Sequence, residues 1–380
     1  MLKLTITAGA HERRNALLSA ALENTDEALA GLTEDLPLAL RYAGGKTIPA
    51  QLVRGEDGKA VLYFVLDSLG KGEAAELTLV NTEAHTPAFR AEDRPADGRL
   101  ELFANNAYYT AYQYAIGFAK PHIGPIVNKY GENITRYDFE AKEHPHHRSI
   151  WFSHGSVTLD GKSEAVDTWN EFEHHGFMKT KAIESTVSGD VLCSFTANNV
   201  WTDENGLALC DDHTTVSLTQ PEDGVTCLDV DLSIEAVYGD VTLGATKEAG
   251  PIAVRMDETL RADRTGTLVS SYGAEGEDEM WMKKACWNDY SGKTAGGHTA
   301  GVAVFDNPQN AGYPTYWHSR NYGLFAPNRF YLGSGEKIPA GTSLRFCYRI
   351  VIHEGDTEDA DIRGKFLDYI APAKVAVTVC

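Results

Sequence analysis

Residues 38–80 read LALRYAGGKTIPAQLVRGEDGKAVLYFVLDSLGKGEAAELTLV. Four apolar runs are separated here by glycine-containing turns; the runs are Leu38–Tyr42, Thr47–Val53, Ala60–Leu66 and Glu76–Val80, and two of the turns lie at 44–45 and 55–58. Their spacing of about 8–12 residues is typical of short strands in a β-sandwich. The stretch therefore predicts a small β-sandwich.

Similar runs continue after residue 100 in a much longer block. They include Val191–Phe195, Thr214–Leu218, Val225–Ile234, Gly301–Phe305 and Ser343–Ile352. About 280 residues of short strands favour one large antiparallel sandwich over a parallel α/β sheet. A late helix is predicted because Ile362, Phe366 and Ile370 recur every four residues, and Asp356 or Thr357 can cap it.

A boundary is predicted near residue 97. Residues 82–98 contain Pro87, Pro95 and charges of both signs with almost no apolar periodicity, as in a linker. We therefore expect residues 1–97 to form the small β-sandwich domain with its linker. Residues 98–380 are expected to form the catalytic domain.

The net charge and the cysteine spacing limit the binding partners and the cellular compartment that we expect for this protein. The 54 acidic and 34 basic side chains give a formal charge of −20, so neither nucleic acid nor an anionic membrane is expected as a partner. The first residues alternate like a strand and lack the apolar core of a signal peptide. The six cysteines form no C-x-x-C pair and no zinc spacing, so we expect free thiols and a cytoplasmic protein.

Residues 144–155, HPHHRSIWFSHG, hold four of the 13 histidines. If residues 146–154 are extended, one face carries His146, Arg148 and His154, and the other carries His147, Ser149 and Trp151. Imidazole can act as an acid, a base or a metal ligand near neutral pH. Because Ile150, Trp151 and Phe152 should bury these groups, the segment predicts a functional site. A solvated histidine-rich edge is the alternative.

Residues 316–325, YWHSRNYGLF, form a second polar and aromatic cluster. The C–H faces of a sugar ring could stack on Trp317 or Tyr322, while its hydroxyls pair with His318, Arg320 and Asn321. This pattern favours a carbohydrate site. An interface or an ordinary surface loop is the alternative.

Three other segments place polar groups beside apolar ones. Glu248 and Arg255 bracket a short apolar run. A second segment sets a carboxylate among aromatic rings, with Trp287, Asp289 and Tyr290. Trp169 lies in a third segment, for which a loop with internally satisfied polar groups is an equal alternative.

Cofactor signatures are weak. His146, His154 and His318 could supply three nitrogen ligands to a metal, but Arg148 beside them would repel a cation. The chain has no dinucleotide-binding glycine motif, no phosphate-binding loop and no serine-hydrolase elbow. We therefore expect no cofactor, with a divalent metal as the alternative.

Together the motifs resemble the bacterial PmoA-like family. The matching segments, in order along residues 100–370, are HPHHRSIWFSHG at 144–155, TKE at 246–248, ACWNDYSG at 285–292, Asn307-Pro308, Pro314-Thr315 and WHSRNYGLF at 317–325. The resemblance implies a galactose-mutarotase-like supersandwich preceded by a small β domain. Sugar epimerases, polysaccharide lyases and some glycoside hydrolases share that fold, so the resemblance points to carbohydrate chemistry.

Two features limit what the resemblance implies. The family name derives from a membrane-embedded methane-oxidising subunit, and no segment here is apolar enough to span a bilayer, so methane oxidation is not expected. The chain also departs from the family's pattern at Trp281–Lys284 and at Pro327–Arg329. The first departure affects a loop, and the second changes the charge near the expected pocket.

We therefore expect a carbohydrate-active enzyme that cleaves a small glycoside or a keto or acidic sugar by elimination or hydrolysis. His147 or His154 would move a proton with Glu248 or Asp289 as partner, while arginines hold the oxygen that gains charge. The predicted catalytic residues are His146, His147, Arg148, His154, Glu248, Asp289, His318 and Arg320; the predicted substrate-binding residues are Trp151, Trp169, Arg255, Trp287, Tyr290, Trp317, Asn321 and Tyr322. An aldose epimerase or mutarotase and a non-catalytic sugar-binding module are the alternatives, and an oligomer is left open.

Overall fold

The computed structural model describes residues 2–22, 29, 31–33, 36–55, 59–138, 143–333 and 335–379. These residues form antiparallel β-sheets with two short α-helices, which confirms the predicted mainly β fold. Most of the predicted turn at 55–58, and Cys380, lie outside the described residues. The five cysteines within the described ranges are free thiols. No helix in these ranges is long and apolar enough to cross a membrane.

The strands are numbered in chain order. The first six are β1 (Leu2–Thr7), β2 (Arg13–Leu22), β3 (Leu38–Tyr42), β4 (Thr47–Arg54), β5 (Ala60–Leu69) and β6 (Ala74–Asn81). The next twelve are β7 (Arg90–Arg94), β8 (Arg99–Ala104), β9 (Ala107–Gln113), β10 (His122–Ile123), β11 (Ile150–His154), β12 (Val157–Leu159), β13 (Phe177–Val187), β14 (Cys193–Thr202), β15 (Ala208–Glu222), β16 (Val225–Glu235), β17 (Val241–Leu243) and β18 (Ala249–Arg255). The last nine are β19 (Thr267–Ser270), β20 (Lys284–Ala285), β21 (Trp287–Lys293), β22 (Thr299–Asp306), β23 (Thr315–Ser319), β24 (Leu324–Pro327), β25 (Glu336–Ile338), β26 (Ser343–Glu354) and β27 (Lys374–Val379).

The N-terminal sheet has the order β2-β5-β4-β3-β6-β1-β27. Its end strands β2 and β27 contact each other, so the sheet curls around its own core of leucines with Phe64. The sheet assignments differ from the predicted boundary at residue 97 in two places. Strand β7, inside the predicted linker, pairs with β8 of a larger sheet, and β27 pairs with β1. The division into two domains stays a prediction.

Two large sheets build the rest of the molecule. The nine-stranded sheet has the order β20-β23-β24-β18-β11-β10-β9-β8-β7, and the eight-stranded sheet has the order β13-β14-β15-β16-β26-β22-β21-β19. Alternating apolar side chains from both sheets, such as Ile150 and Val216, pack into the main core. A small sheet, β12-β17-β25, lies beside them. This is the expected large antiparallel sandwich.

The two α-helices are short. Helix α1 spans Gly276–Met280 and helix α2 spans Ile362–Ile370. Helix α2 matches the predicted periodicity, and Phe366 packs edge-to-face on Phe305 of β22. Its cap is Asp361, which accepts a hydrogen bond from the Gly364 amide, rather than the predicted Asp356 or Thr357. Asp356 instead accepts hydrogen bonds within the preceding turn, from the amides at 358 and 359.

Candidate functional site

The two sequence clusters meet on one face of the nine-stranded sheet. Strand β18 pairs with β11 on one side and with β24 on the other, and β24 pairs with β23. On this face Trp151 lies opposite Ala253, and His318 lies opposite Ala326. The small alanines leave room for large rings, and a separate apolar cluster forms there with Trp169. We call the rings and charged groups on this face the histidine cluster.

Residues 144–149 are a tight turn rather than the predicted extended strand. Strand β11 begins only at Ile150, and both His144 (φ 45°) and Ser149 (φ 57°) have left-handed backbone conformations. Such conformations are uncommon for residues other than glycine and must be held by their surroundings. Arg136 holds this turn, because its guanidinium donates to the carbonyl oxygens of residues 143, 144 and 147.

The turn arranges four aromatic side chains in a stack. His147 lies on Trp151 with ring centroids 5.1 Å apart, and His144 lies on His147 at 4.8 Å. Tyr322 stacks on His144 at 4.9 Å and is nearly parallel to it. Trp169 meets His147 edge-to-face at 6.0 Å. The stack therefore joins residues from both sequence clusters, with His147 only 1% exposed inside it.

Arg255 fixes the protonation state of His147. Its Nη1 donates to His147 Nδ1 at 3.2 Å, so the proton of the neutral ring is on Nε2. Burial, followed by the nearby His146 and the Arg255 charge, holds the pKa of His147 well below its usual value. Nε2 makes no hydrogen bond to a described residue. His147 is thus a neutral hydrogen-bond donor.

Arg255 is itself fully buried and paired. Its Nη2 contacts Glu143 and lies 3.3 Å from Glu258 Oε1. Its guanidinium lies over the Tyr322 ring, 4.8 Å from the ring centre. Arg255 is one of the predicted substrate-binding residues. Its contacts make it a positioning residue for His147 and Tyr322.

A second row of rings surrounds His318. His318 stacks on Trp169 and on Trp281, with centroid distances of 6.4 and 6.3 Å. Neither ring nitrogen meets full hydrogen-bond geometry with a described residue, although the Lys247 backbone is close. Burial, followed by the Arg320 and Lys247 charges, lowers the pKa of His318 to about 3. His318 is therefore neutral at physiological pH.

Arg320 contacts two aromatic rings at the edge of this row. Its guanidinium is 4.4 Å from the Trp281 ring centre and 5.2 Å from that of Tyr322. Its Nε lies 2.7 Å from Glu277 Oε1. The side chain is about a quarter exposed, so Arg320 lies at the mouth of the histidine cluster.

A buried ion triad supports the loop that carries Trp169. Arg148 donates two hydrogen bonds to Glu171, and Lys120 lies 3.1 Å from the same carboxylate. Lys120 also donates to the Trp169 carbonyl oxygen at 2.5 Å. Arg148, predicted to be catalytic, is therefore committed to Glu171 and acts structurally.

Sequence reasoning missed Lys120 and Glu171. Burial lowers the pKa of Lys120 to about 8. Burial alone would raise the pKa of Glu171, but the hydrogen bonds from Arg148 and the charge of Lys120 lower it to about 2. The only sequence signal for Lys120 was its position directly after a long stretch without charges, Leu102–Ala119.

His146 and Glu248 complete the cluster on its outer side. His146 contacts Phe172 edge-to-face, its Nδ1 has no partner among the described residues, and burial followed by the Lys120 charge lowers its pKa to about 3. Glu248 accepts a hydrogen bond from Asn170 and is one-third exposed. Its nearest cation, Lys247, is 3.9 Å away.

Six predicted site residues do not contribute side chains to the cluster. Trp317 points to the opposite face of β23, where it is in the main core and donates to the Ala285 carbonyl. Tyr290 is in the same core. His154 donates Nε2–H to the Gly244 carbonyl at 2.9 Å, beyond the β-bulge of β11. The side-chain oxygen of Asn321 accepts a hydrogen bond from the Glu277 amide of helix α1.

The remaining two, Asp289 and Trp287, lie on β21 of the eight-stranded sheet. Asp289 is fully buried and accepts hydrogen bonds from His353 and Thr357. Trp287 packs in a core cluster with helix α2. Asp289 is therefore a structural partner of His353 and does not act on His147.

In the part of the chain that the structure describes, no three His, Cys, Asp or Glu side chains converge as a metal site would require. Of the predicted ligands, His154 uses Nε2 for the Gly244 carbonyl. The metal dependence of the protein stays a prediction.

Comparison with known proteins gives one family, and similar solved structures of which two are described below. The model of a family described as a family of unknown function, DUF6807, matches residues 99–366. Nothing in this match links the chain to a PmoA-like family, so that assignment is wrong. No curated protein matches.

Two solved structures from Enterococcus faecalis are similar to this chain. An α-mannosidase from strain V583 has 9% identity and a TM-score of 0.49, with 99% of this chain and 46% of that chain covered. A protein of glycosyl hydrolase family 38 has 9% identity and a TM-score of 0.50, with 99% and 47% covered. This chain spans slightly less than half their length. At this identity, the second likeness shows a shared fold alone.

Proposed function

Since the chain belongs to DUF6807, a family of unknown function, its activity must be inferred from the site, and we propose that it is a carbohydrate-active enzyme. The proposed reaction is cleavage of a small glycoside, or of a keto or acidic sugar, by elimination or hydrolysis. The observation that carries the proposal is the neutral His147 held by Arg255 among stacked rings.

His147 is proposed to donate Nε2–H to the substrate oxygen that gains negative charge. A neutral imidazole that is already oriented stabilises such an oxygen without reorganisation when the charge develops. The positive charge of Arg255 on the far side of the ring strengthens this donor. Tyr322, the outer ring of the stack, contacts His144 and the guanidiniums of Arg255 and Arg320, and we propose that a sugar ring packs against its remaining exposed edge.

Glu248 is the best placed group to accept a proton. Glu143 is closely paired with Arg255, Glu171 with Arg148, and Glu277 with Arg320. Asp167 has no ion pair among the described residues, but it is engaged by the amides of Trp169 and Asn170 and by the Asn170 side chain. Glu248 has only Lys247 at 3.9 Å and is partly exposed. In elimination it would remove the proton next to a carbonyl while the C–O bond on the following carbon breaks, and the leaving oxygen would take a proton from water. In hydrolysis it would take a proton from the water that replaces the leaving oxygen at the anomeric carbon, and that oxygen would leave protonated.

The arrangement argues against a glycosidase of the ordinary two-carboxylate type. Such an enzyme needs one carboxyl group protonated near neutral pH, with a raised pKa. The pKa of Glu171 is lowered to about 2. The hydrogen bond from His144 and the charge of Arg255 outweigh burial and lower the pKa of Glu143 as well. Neither carboxyl group can be that acid.

The test is turnover of a panel of glycosides and keto-sugars, followed by mass spectrometry and NMR. We expect His147→Gln and Glu248→Gln each to lower kcat/KM at least a hundredfold, the usual scale for an acid–base or oxyanion-stabilising group. His213→Gln, at a partly exposed histidine of β15, is the matched control and should keep full activity. Full activity in both test variants would refute the proposal.

The products separate the alternatives. Cleavage gives two fragments or an unsaturated sugar, whereas an epimerase or mutarotase gives an isomer of unchanged mass. A binding module gives no product at all, and its affinity for sugar would depend on Tyr322 and not on Glu248.

A further inference from the structure

The buried polar atoms left without a full hydrogen bond in the histidine cluster are nitrogens. They include Arg255 Nε, His146 Nδ1 and both ring nitrogens of His318, whereas no side-chain oxygen of the cluster's described residues is in this condition. Buried polar groups in native proteins are nearly always satisfied, by protein, water or ligand. An arginine Nε can only donate, and a neutral imidazole has one N–H. A ligand that satisfies Arg255 Nε must supply an acceptor oxygen, and one that satisfies His318 must also supply a hydrogen-bond donor, as a sugar hydroxyl can.

Cations and carboxylates are close to balance in the cluster, although the protein as a whole is strongly acidic. The cations are Lys120, Arg136, Arg148, Lys247, Arg255 and Arg320; the carboxylates are Glu143, Glu171, Glu248 and Glu277, with Asp138 beside Arg136 and Asp167 near Lys120. The chain as a whole carries −20. A balanced site repels an anion less than the acidic remainder of the protein does.

Arg320 presents the free end of its guanidinium at the mouth of the cluster. Glu277 Oε1 lies 2.7 Å from its Nε without full hydrogen-bond geometry, and neither Nη1 nor Nη2 hydrogen-bonds to a described residue. The guanidinium contacts the rings of Trp281 and Tyr322, which limit its movement. A fixed guanidinium fork is the geometry that binds a carboxylate through two parallel hydrogen bonds.

We propose that the substrate is a sugar bearing a carboxylate, a uronic acid or its glycoside, with the carboxylate on Nη1 and Nη2 of Arg320. His318 lies beside Arg320 against the same Trp281 ring. With its one N–H directed at the Lys247 backbone, its other ring nitrogen is left to accept a hydrogen bond from a sugar hydroxyl. Lys247, more than half exposed, adds a positive charge at the rim. This inference rests on the proposed function, because it names the substrate class of that site.

The test is calorimetric binding of matched acid and neutral sugars to the full chain. The pairs are D-glucuronate with D-glucose, D-galacturonate with D-galactose, and D-mannuronate with D-mannose. We expect at least one acid to bind tenfold or more tightly than its neutral partner, and we expect this preference to weaken as salt is raised. Equal binding within every pair, or no binding of any acid, would overturn the proposal.

Two substitutions test whether the carboxylate of the ligand binds Arg320. Arg320→Gln should remove the preference for the acid, because glutamine keeps a donor but loses the charge and the fork. Arg345→Gln is the control, since Arg345 is an exposed arginine paired with Asp231 on the eight-stranded sheet, and it should bind as the wild type does. An acid preference that survives Arg320→Gln would overturn the assignment to Arg320.

Failure of this inference is distinguishable from failure of the proposed function. If neutral glycosides are cleaved, and cleavage depends on His147, then the proposed enzymatic activity stands and the proposal of a carboxylate-bearing substrate is wrong. If acids bind through Arg320 but no variant or wild-type protein cleaves any sugar, then the substrate class stands and the enzymatic reaction is wrong.

Discussion

The Asp289–His353 pair offers the sharpest test of the division between structural and catalytic groups. Both side chains are fully buried, with Asp289 Oδ1 3.0 Å from His353 Nε2, and Thr357 donates to the other carboxylate oxygen. The pair ties β21 and β26 to the turn that precedes helix α2. Removing one member of a buried ion pair costs about 3–5 kcal/mol, because the other charge is left unpaired. We expect Asp289→Ala to lose that much unfolding free energy at pH 6.

The pH dependence follows from His353. Burial alone would lower the pKa of His353, but the charge and hydrogen bond of Asp289 raise it above the usual value. A raised folded-state pKa contributes stability that is complete below the unfolded pKa of about 6.5 and is lost as the pH rises through the folded value. The stability gap between wild type and Asp289→Ala should therefore be largest at pH 6 and narrow by pH 9.

Urea unfolding followed by circular dichroism at pH 6 and pH 9 measures both effects. Asp231→Ala is the control, because its pair with Arg345 is exposed and should contribute less than about 1 kcal/mol. The reasoning is refuted if Asp289→Ala is as stable as wild type at pH 6, or if the gap grows with pH. Loss of turnover per folded molecule at unchanged stability would return Asp289 to the catalytic candidates.

Three further outcomes are expected. Wild-type activity should fall above pH of about 8, the pKa of Lys120, because the amine holds Glu171 and the Trp169 carbonyl only while it is protonated. Lys120→Met should lower kcat/KM and should no longer show this fall. A wild-type profile without the fall would contradict this role. Gly266→Ala should destabilise by about 1–3 kcal/mol in thermal unfolding, because its Cβ would lie 1.8 Å from the Leu260 carbonyl oxygen, whereas Gly117→Ala meets open space and should be neutral. His154→Leu should cost about 1–3 kcal/mol of stability through the unpaired Gly244 carbonyl while activity per folded molecule is kept, and the reverse pattern would restore His154 as a catalytic residue.

The alternation of apolar and polar residues in the sequence predicts much of the observed fold. The runs at 38–42 and 60–66 became β3 and β5, because their alternation reflects one buried and one exposed face. The pattern of Asn15–Leu22 suits a helix or a strand, and the segment lies in β2, which pairs with β5 and buries alternate residues. The partner of β27 could not be predicted, since β1 is more than 360 residues away in the sequence.

The site was predicted as two motifs, but not as one arrangement. Sequence patterns located His147, His318 and Tyr322, yet the side chains that face the cluster depend on where each strand begins. Because the backbone reverses at His144 and Ser149, counting alternate positions through residues 146–154 grouped His154 with His146. On β23 the same alternation sends Trp317 to the core and His318 to the cluster, and the sequence alone does not say which face is which.

The stack of Trp151, His147, His144 and Tyr322 gives the protein an intrinsic optical reporter. Indole and phenol rings held in a fixed asymmetric setting produce near-ultraviolet circular dichroism, which disappears when packing loosens even though the backbone signal persists. Trp151 contacts His147 directly, so a proton gained by the imidazole should quench the indole fluorescence. Ligand entry and loss of order at the site could therefore be followed without any label.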